Sequence, residues 1–303
     1  MVSQILKGKT VRMAGKAIRN PSRAVLRLVL KARLRRAKIE DERGRLLDLL
    51  SRRFGVDAAA LLAEYHQSEF HRWFQQRRVE LDQFEGPYRF GTTGEFGCEA
   101  MYLLVRAARP RVVVDTGVLY GGSSAHILAA LAQNGAGELH SIDIGRDDRE
   151  PPHDFFVPSE LRPRWDLIIG DSRRELPALL RRCGTVDLFH HDSLHTWDHM
   201  TWEYETAFPY LSPDGLLSSD DIQNPPSIPG IFRQNAFPAF CQRRHFSFGS
   251  FHNLGVAFRG TDGVAPSRGP ESRTSGAAHD PPDWARSRNW GRSPTESAAQ
   301  EPF

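Results

Sequence analysis

Four side chains in the second half of the sequence have types and spacings suited to moving a proton: Asp192, His195 and the adjacent pair Asp220-Asp221. Asp192 and His195 belong to His191-Asp192-Ser193-Leu194-His195, directly after the strand-like Val186–His190. Asp220-Asp221 ends a second strand-like run, Leu216–Ser219. An imidazole three residues after a carboxylate suits general-base work on a hydroxyl. Carboxylates are hard oxygen donors, the type that Mg²⁺ takes and that Mn²⁺ or Ca²⁺ accept. The plainer alternatives are that the acids cap helices or loops and that His195 is a solvated helix-start residue. His190, His191 and His199 compete with it, and His191 is the second choice for a base or metal role.

Such residues need a scaffold, and Arg111–Ile144 supplies the clearest piece of one. The β-branched run Val112–Val114 ends at Asp115, and Gly117, Gly121 and Gly122 form a turn that lets backbone approach a ligand. Ser123 and Ser124 open a helix carrying Ile127, Leu128 and Leu131, and Leu139–Ile142 is a second strand ending at Asp143. In an open parallel sheet, ligands bind beyond the carboxyl ends of the strands, where a glycine turn meets a helix N-terminus. An acid ending the second strand suits ribose hydroxyls. A dinucleotide fingerprint requires G-x-G-x-x-G. Here Leu119 stands at the second glycine, so the turn suits a nucleoside ligand without a pyrophosphate.

These residues resemble the first motif of the class I S-adenosylmethionine-dependent methyltransferases: an acid, a glycine turn, a helix, and an acid ending the second strand. The later pattern DLFxxDxxH…PYLSPDGLLxxDDI resembles the metal-assisted O-methyltransferases, including catechol-type enzymes and the macrocin and mycinamicin sugar methyltransferases, with a cephalosporin-hydroxylase-like branch. The first element is usually closer to D-G-D-H-S; here Ser193 and Leu194 replace the middle residues, with the loss of one acid. The resemblance covers residues 90–260. It implies a Rossmann-like α/β fold: a seven-stranded, mostly parallel sheet with an antiparallel last strand, helices on both faces and an N-terminal helical extension. It assigns cofactor contacts to Asp115, Gly117, Gly121, Gly122, Ser123, Asp143 and Asp171. It makes His195 and Asp192 catalytic, and gives Mg²⁺ to Asp192, Asp220 and Asp221.

Strands four and five are neighbours in such a sheet, so the three carboxylates would converge. They would repel unless a cation sat among them or one kept its proton. The expected reaction is methyl transfer to a hydroxyl of a sugar or other small metabolite, with a natural-product acceptor included. The alternatives are the same fold without a metal, or a catalytically degenerate scaffold docked on a membrane.

The remaining segments fit around this centre. Trp165–Ile169 reads as strand three, followed by Gly170-Asp171-Ser172, where helix capping competes with an adenine contact. Thr92–Arg106 reads as a helix with Glu95 and Glu99 nearer the ligand end. Arg243–Phe251 and Leu254–Phe258 read as the closing antiparallel pair, separated by His252-Asn253. Ile222–Phe240 reads as an acceptor-side loop.

Charge divides the chain unevenly. Residues 1–40 hold twelve Lys or Arg and one acid, while the whole chain nets only +3. The rest is therefore −8, from 28 basic and 36 acidic residues, and a specific nucleic-acid partner is not implied. Within Ser22–Lys38, Arg23, Arg27, Lys31 and Arg35 share one side of a helix, and Leu26, Val29, Leu30, Leu34 and Ala37 share another. This helix would meet an anionic membrane surface, pack on the core or on a second subunit of a homo-oligomer, or stand as a solvated basic helix. The domains expected are 1–40 basic arm, 41–89 helical region, 90–260 cofactor-binding domain and 261–303 disordered tail. Three scattered cysteines and the absence of a signal-peptide pattern point to the cytoplasm, at the inner face of the membrane if the arm docks there.

Overall fold

The computed structural model describes residues 21–81, 92–145, 150–222 and 236–259; for 21–28 only the helical backbone is described. The chain divides into two units, Met1–Ala265 and Pro266–Phe303, and every described residue lies in the first. The expected tail from 261 to 303, and most of the loop that begins at Ile222, lie outside the described residues.

The described residues open with the helices α1 (Pro21–Phe54), α2 (Ala58–Gln67) and α3 (Glu69–Leu81). Then follow α4 (Glu95–Ala108), β1 (Val112–Thr116), α5 (Gly122–Gln133), β2 (Glu138–Asp143), β3 (Trp165–Ile169), α6 (Ser172–Cys183) and β4 (Val186–His191). The domain closes with α7 (Trp197–Ala207), β5 (Leu211–Ser219), α8 (Ala236–Arg243), β6 (Ser247–Phe251) and β7 (Leu254–Phe258). The seven strands form one Rossmann-like sheet in the order β3-β2-β1-β4-β5-β7-β6. β7 runs antiparallel to both of its neighbours, and the other pairings are parallel.

The apolar runs are continuous because the sheet is buried on both faces. Successive residues go to opposite cores. Val113, Leu188, Leu216 and Val256 join one, beneath α1, α4 and α5. Val114, Phe189, Leu217 and Ala257 join the other, beneath α6, α7 and α8.

Several elements differ from the sequence expectation. A single 34-residue helix, α1, runs without interruption across residue 40. Ala236–Arg243 is helical, and β6 begins only at Ser247. Pro238 sits in the first turn of α8, where a missing N–H costs nothing. β5 begins at Leu211, and the register slips between Val186 and Leu188 to absorb the Ser212–Gly215 segment. Among the described residues, no helix is long and apolar enough to cross a membrane.

Candidate active site

Register brings the site together. Thr116 pairs with His191, and His191 with Ser219, so the next residues of β1, β4 and β5 come level at the carboxyl edge. The ladder continues one step beyond the strands, with Asp192 N–H donating to Thr116 O at 2.8 Å and Asp220 N–H to His191 O at 2.9 Å. Gly117 lies against Asp192 so closely that a Cβ there would stand 2.0 Å from the Asp192 carbonyl oxygen. The glycine turn and the acid of the reaction loop are therefore in direct backbone contact.

Among the described residues, three of the five non-glycine residues with positive φ lie at this edge: Leu119 (φ 50°), Asp221 (φ 53°) and His252 (φ 55°). Left-handed backbone at a side-chain-bearing residue costs on the order of 1 kcal/mol and gathers at functional sites. Gly117 (φ 87°) and Gly121 (φ 80°) complete the turn. A Cβ on Gly121 would meet His153 O at 2.6 Å, so the segment after β2 packs down on the turn.

The expected cofactor residues take distinct places. Asp115 is fully buried, with Ser124 Oγ donating to it at 2.9 Å. Burial pushes its carboxyl up to about 7, against the pull of the Ser141 and Ser124 hydroxyls. Ser124, not Ser123, makes this bond, while Ser123 is buried in the first turn of α5 beside Gly122. Asp143 braces the turn: its Oδ2 accepts from the amides of Val118 (2.8 Å) and Leu119 (2.5 Å), and its Oδ1 from Ile144 N at 2.6 Å. Asp171 caps α6, accepting from Arg173 N at 2.8 Å, and is exposed. Glu99 is buried and takes Arg43 Nε at 2.6 Å, tying α1 to α4.

His195 sits between two carboxylates, with Nε2 3.5 Å from Asp192 Oδ1 and 3.7 Å from Asp221 Oδ2. Burial alone would lower the imidazole pKa; Asp192, then Asp221 and Asp220, hold it above its ordinary value. Asp220 is half-buried. Its carboxyl is raised well above the usual range by burial and by the charges of Asp192 and Asp221. Thr93 donates to Asp192 Oδ2 at 3.0 Å, and the Asn253 amide donates to Asp221 Oδ1. Thr93 and Asn253 thus steady the two acids, a role their positions in the sequence did not suggest.

The donor chemistry of Asp192, Asp220 and Asp221 suits Mg²⁺. Asp192 and Asp221 also lie beside His195. Among the described residues, no group of three or more His, Cys, Asp or Glu side chains is set to hold a metal, and Asp192 and Asp221 are engaged by Thr93, His195 and Asn253. The nucleoside fit is better. A turn with two positive-φ glycines, closed by Asp143 and followed by the α5 N-terminus, is the kind of cradle that S-adenosylmethionine requires.

Beneath the edge lies a network that sequence reasoning missed. Glu203 of α7 is fully buried. Its Oε2 accepts from Thr116 Oγ1 (2.5 Å) and His191 Nδ1 (2.7 Å), and its Oε1 from Ser193 Oγ (2.9 Å) and His199 Nε2 (2.9 Å). Burial would raise this carboxyl, but His191, His199 and Thr116 hold it well below the ordinary range. A single carboxylate so joins the end of β1, the end of β4 and the loop carrying Asp192 and His195. The signal lay in the sequence: Glu203 falls within the stripe Met200, Tyr204 and Ala207, all of which are buried.

Part of this architecture matches a known protein family. Residues 114–222, from β1 to just past β5, match the family described as "Methyltransferase domain". The match lies within the domain that holds the Rossmann-like sheet. No curated protein sequence matches the chain. Similar solved structures include the SAH-bound methyltransferase PaMTH1 of Podospora anserina, at 15% identity over 64% of this chain and 88% of that one, with TM-score 0.47. The O-methyltransferase TomG of Streptomyces achromogenes, involved in tomaymycin synthesis and solved with SAM, has 16% identity over 64% and 90%, with TM-score 0.48. The MycE methyltransferase of the mycinamycin pathway, solved with Mg, SAH and mycinamycin VI, has 19% identity over 62% and 57%, with TM-score 0.43.

Proposed function

We propose that this domain transfers a methyl group from S-adenosylmethionine to a hydroxyl oxygen of a sugar or other small metabolite. The observation that carries the proposal is the position of His195. It lies between Asp192 and Asp221, and Asp192 itself touches the glycine turn. Asp115, Gly117, Gly121, Gly122, Ser123 and Asp143 would hold the donor, with Asp171 at the adenine end. The bound donor supplies an electrophilic methyl on a sulfonium. The acceptor oxygen gains the O–CH₃ bond as the S–CH₃ bond breaks, leaving S-adenosylhomocysteine.

The protein's work is to hold that oxygen in line and to take its proton. His195 Nε2 would accept the proton, and Asp192 and Asp221 would stabilise the resulting imidazolium. Asp220, whose carboxyl favours the protonated form, avoids a third negative charge beside them.

A divalent cation is the second reading, favoured by the crowding of Asp192, Asp220 and Asp221. Mg²⁺ held there would polarise the acceptor oxygen, provided that Asp192 and Asp221 exchanged His195 and Asn253 for it. Transfer of label from methyl-tritiated donor to a panel of polyhydroxylated metabolites tests the reaction. Repeating the assay in EDTA separates the two readings: activity that survives supports His195 as the base, and activity restored only by Mg²⁺ supports the metal. Absence of transfer to every oxygen acceptor, with transfer to a nitrogen or carbon acceptor, would contradict the O-methyl reading.

A further inference from the structure

We propose that the N-terminal part of α1, residues 29–38, is a docking helix for an anionic lipid bilayer, placed beside the edge that carries Asp192 and His195. The surface stands on its own geometry and is independent of the reaction catalysed at that edge.

The placement follows from contacts along α1. Arg53 lies over the Phe258 ring at 5.4 Å, at the far end of the β6–β7 hairpin. Leu49 lies against Gly249. Arg45 donates to Ser250 O at 3.3 Å and lies over Phe251 at 5.6 Å, next to the hairpin turn. That turn, His252-Asn253, reaches Asp221 through Asn253. With decreasing residue number, α1 therefore climbs toward the catalytic edge. At 1.5 Å per residue, Val29 lies about 24 Å beyond Arg45 along the axis. Burial, together with Lys38 and Arg35, lowers the pKa of His252, as expected if the basic segment passes close to the turn.

Beyond that point every residue from 29 to 38 is exposed, and none of the described residues covers this stretch. Leu34 is 63% exposed, Leu30 54% and Val29 43%. Leu30 and Leu34, four residues apart, form an uncovered apolar pair on this helix. At 100° per residue, Leu30 lies about 160° around the axis from Leu46, which faces the core. Leu34 lies about 120° from Leu46, so both leucines are on the side of the helix turned from the core.

Charge selects the occupant. Lys31, Arg33, Arg35, Arg36 and Lys38 flank the leucines, and residues 29–38 contain no acid. A second copy of the helix would set these cations against their own kind. A nucleic acid would leave Leu30 and Leu34 in water. An anionic bilayer takes both, with leucines entering the interface and the long basic side chains reaching headgroup phosphates.

Flotation of the full chain with phosphatidylcholine vesicles and with mixed phosphatidylcholine–phosphatidylserine vesicles tests this. Binding is expected to the mixed vesicles alone and to weaken with salt. Each basic residue near such a surface is worth about fivefold in partitioning, so joint replacement of Arg33, Arg35, Arg36 and Lys38 by Gln should reduce it at least about a hundredfold. Leu30→Ser and Leu34→Ser should each reduce it about tenfold. All of these positions are exposed, so melting temperatures should stay at the parent value. Failure to float with the mixed vesicles, or undiminished flotation of the four-Gln variant, would overturn the proposal. So would a dimer, seen by sedimentation equilibrium, that Leu30→Ser dissociates.

Discussion

His191 donates its Nδ1–H to Glu203 at 2.7 Å, and both side chains are fully buried. A carboxylate only accepts, so this bond fixes the tautomer and leaves Nε2 of neutral His191 as an acceptor. The His191 ring meets His195 edge to face, with centroids 5.3 Å apart at 89°. Glu203 thus acts on the candidate base from behind, through His191 and through the Ser193 hydroxyl in the same loop.

Replacing Glu203 with Gln turns an all-acceptor centre into one with an amide that must face a donor. Stability should fall by about 1–3 kcal/mol for the unmet buried groups. Turnover should fall about tenfold to a hundredfold, the range typical of lost supporting bonds behind a reactive group. The donor KM should change less than turnover, because Glu203 reaches the donor turn only through the Thr116 hydroxyl. Steady-state kinetics with calorimetric unfolding would reveal the split. Equal losses in kcat and donor affinity would show that Glu203 holds the fold rather than the loop.

His195→Gln and Asp192→Asn should lower methyl transfer by about 10²–10⁴-fold, the usual contribution of a positioned base. Donor affinity should change by less than about threefold, since the donor is held by the turn after β1. A His195→Gln variant of near-parental activity in EDTA would remove the histidine from the mechanism.

Gly117 and Gly135 make a matched pair. Both have positive φ, 87° and 70°, but a Cβ at Gly117 collides with the Asp192 backbone, whereas one at Gly135 meets nothing within 4 Å. Gly135→Ala should cost about 1 kcal/mol from backbone strain alone. Gly117→Ala should cost several times more and abolish donor binding by pushing the reaction loop from the turn. Similar melting temperatures for the two variants would contradict the contact.

These contrasts show what the sequence disclosed and what it withheld. Val113-Val114, Leu188-Phe189 and Leu216-Leu217 are apolar at both parities, the mark of strands buried on two faces. The glycine turn and the acids ending β1, β2, β4 and β5 follow from strand ends alone. Asn253 and Thr93 could not be found that way. Each gains its role from a partner some 32 or 99 residues distant, Asp221 and Asp192 respectively. Asp143, expected at a ribose, also braces the turn, its Oδ2 accepting from the amides of Val118 and Leu119. Glu203 was legible as an acid in an apolar stripe, but its four donors come together only once β1 and β4 are known to pair.

His140 on β2 should make stability depend on pH. It is buried, with Glu138 Oε1 at 3.1 Å and Asp166 Oδ2 at 3.5 Å. Burial would lower its pKa, yet Asp166 and Glu138 raise it to about 9. A raised folded-state pKa stabilises most below the unfolded value of about 6.5. That contribution, on the order of 3 kcal/mol, is lost as pH rises through about 9. His140→Gln should therefore melt several degrees below the parent at pH near 6, and the gap should close by pH near 10. A gap independent of pH would show that His140 is neutral when folded.

The central claim is that the turn from Asp115 to Gly122, closed by Asp143, is a site for S-adenosylmethionine. Isothermal titration of the full chain with S-adenosylmethionine addresses it most directly. Saturable binding at one site per chain is expected, in EDTA as well as in Mg²⁺, retained in His195→Gln and lost in Gly117→Ala. No binding by the parent chain in either condition would contradict the account and leave the fold as a scaffold.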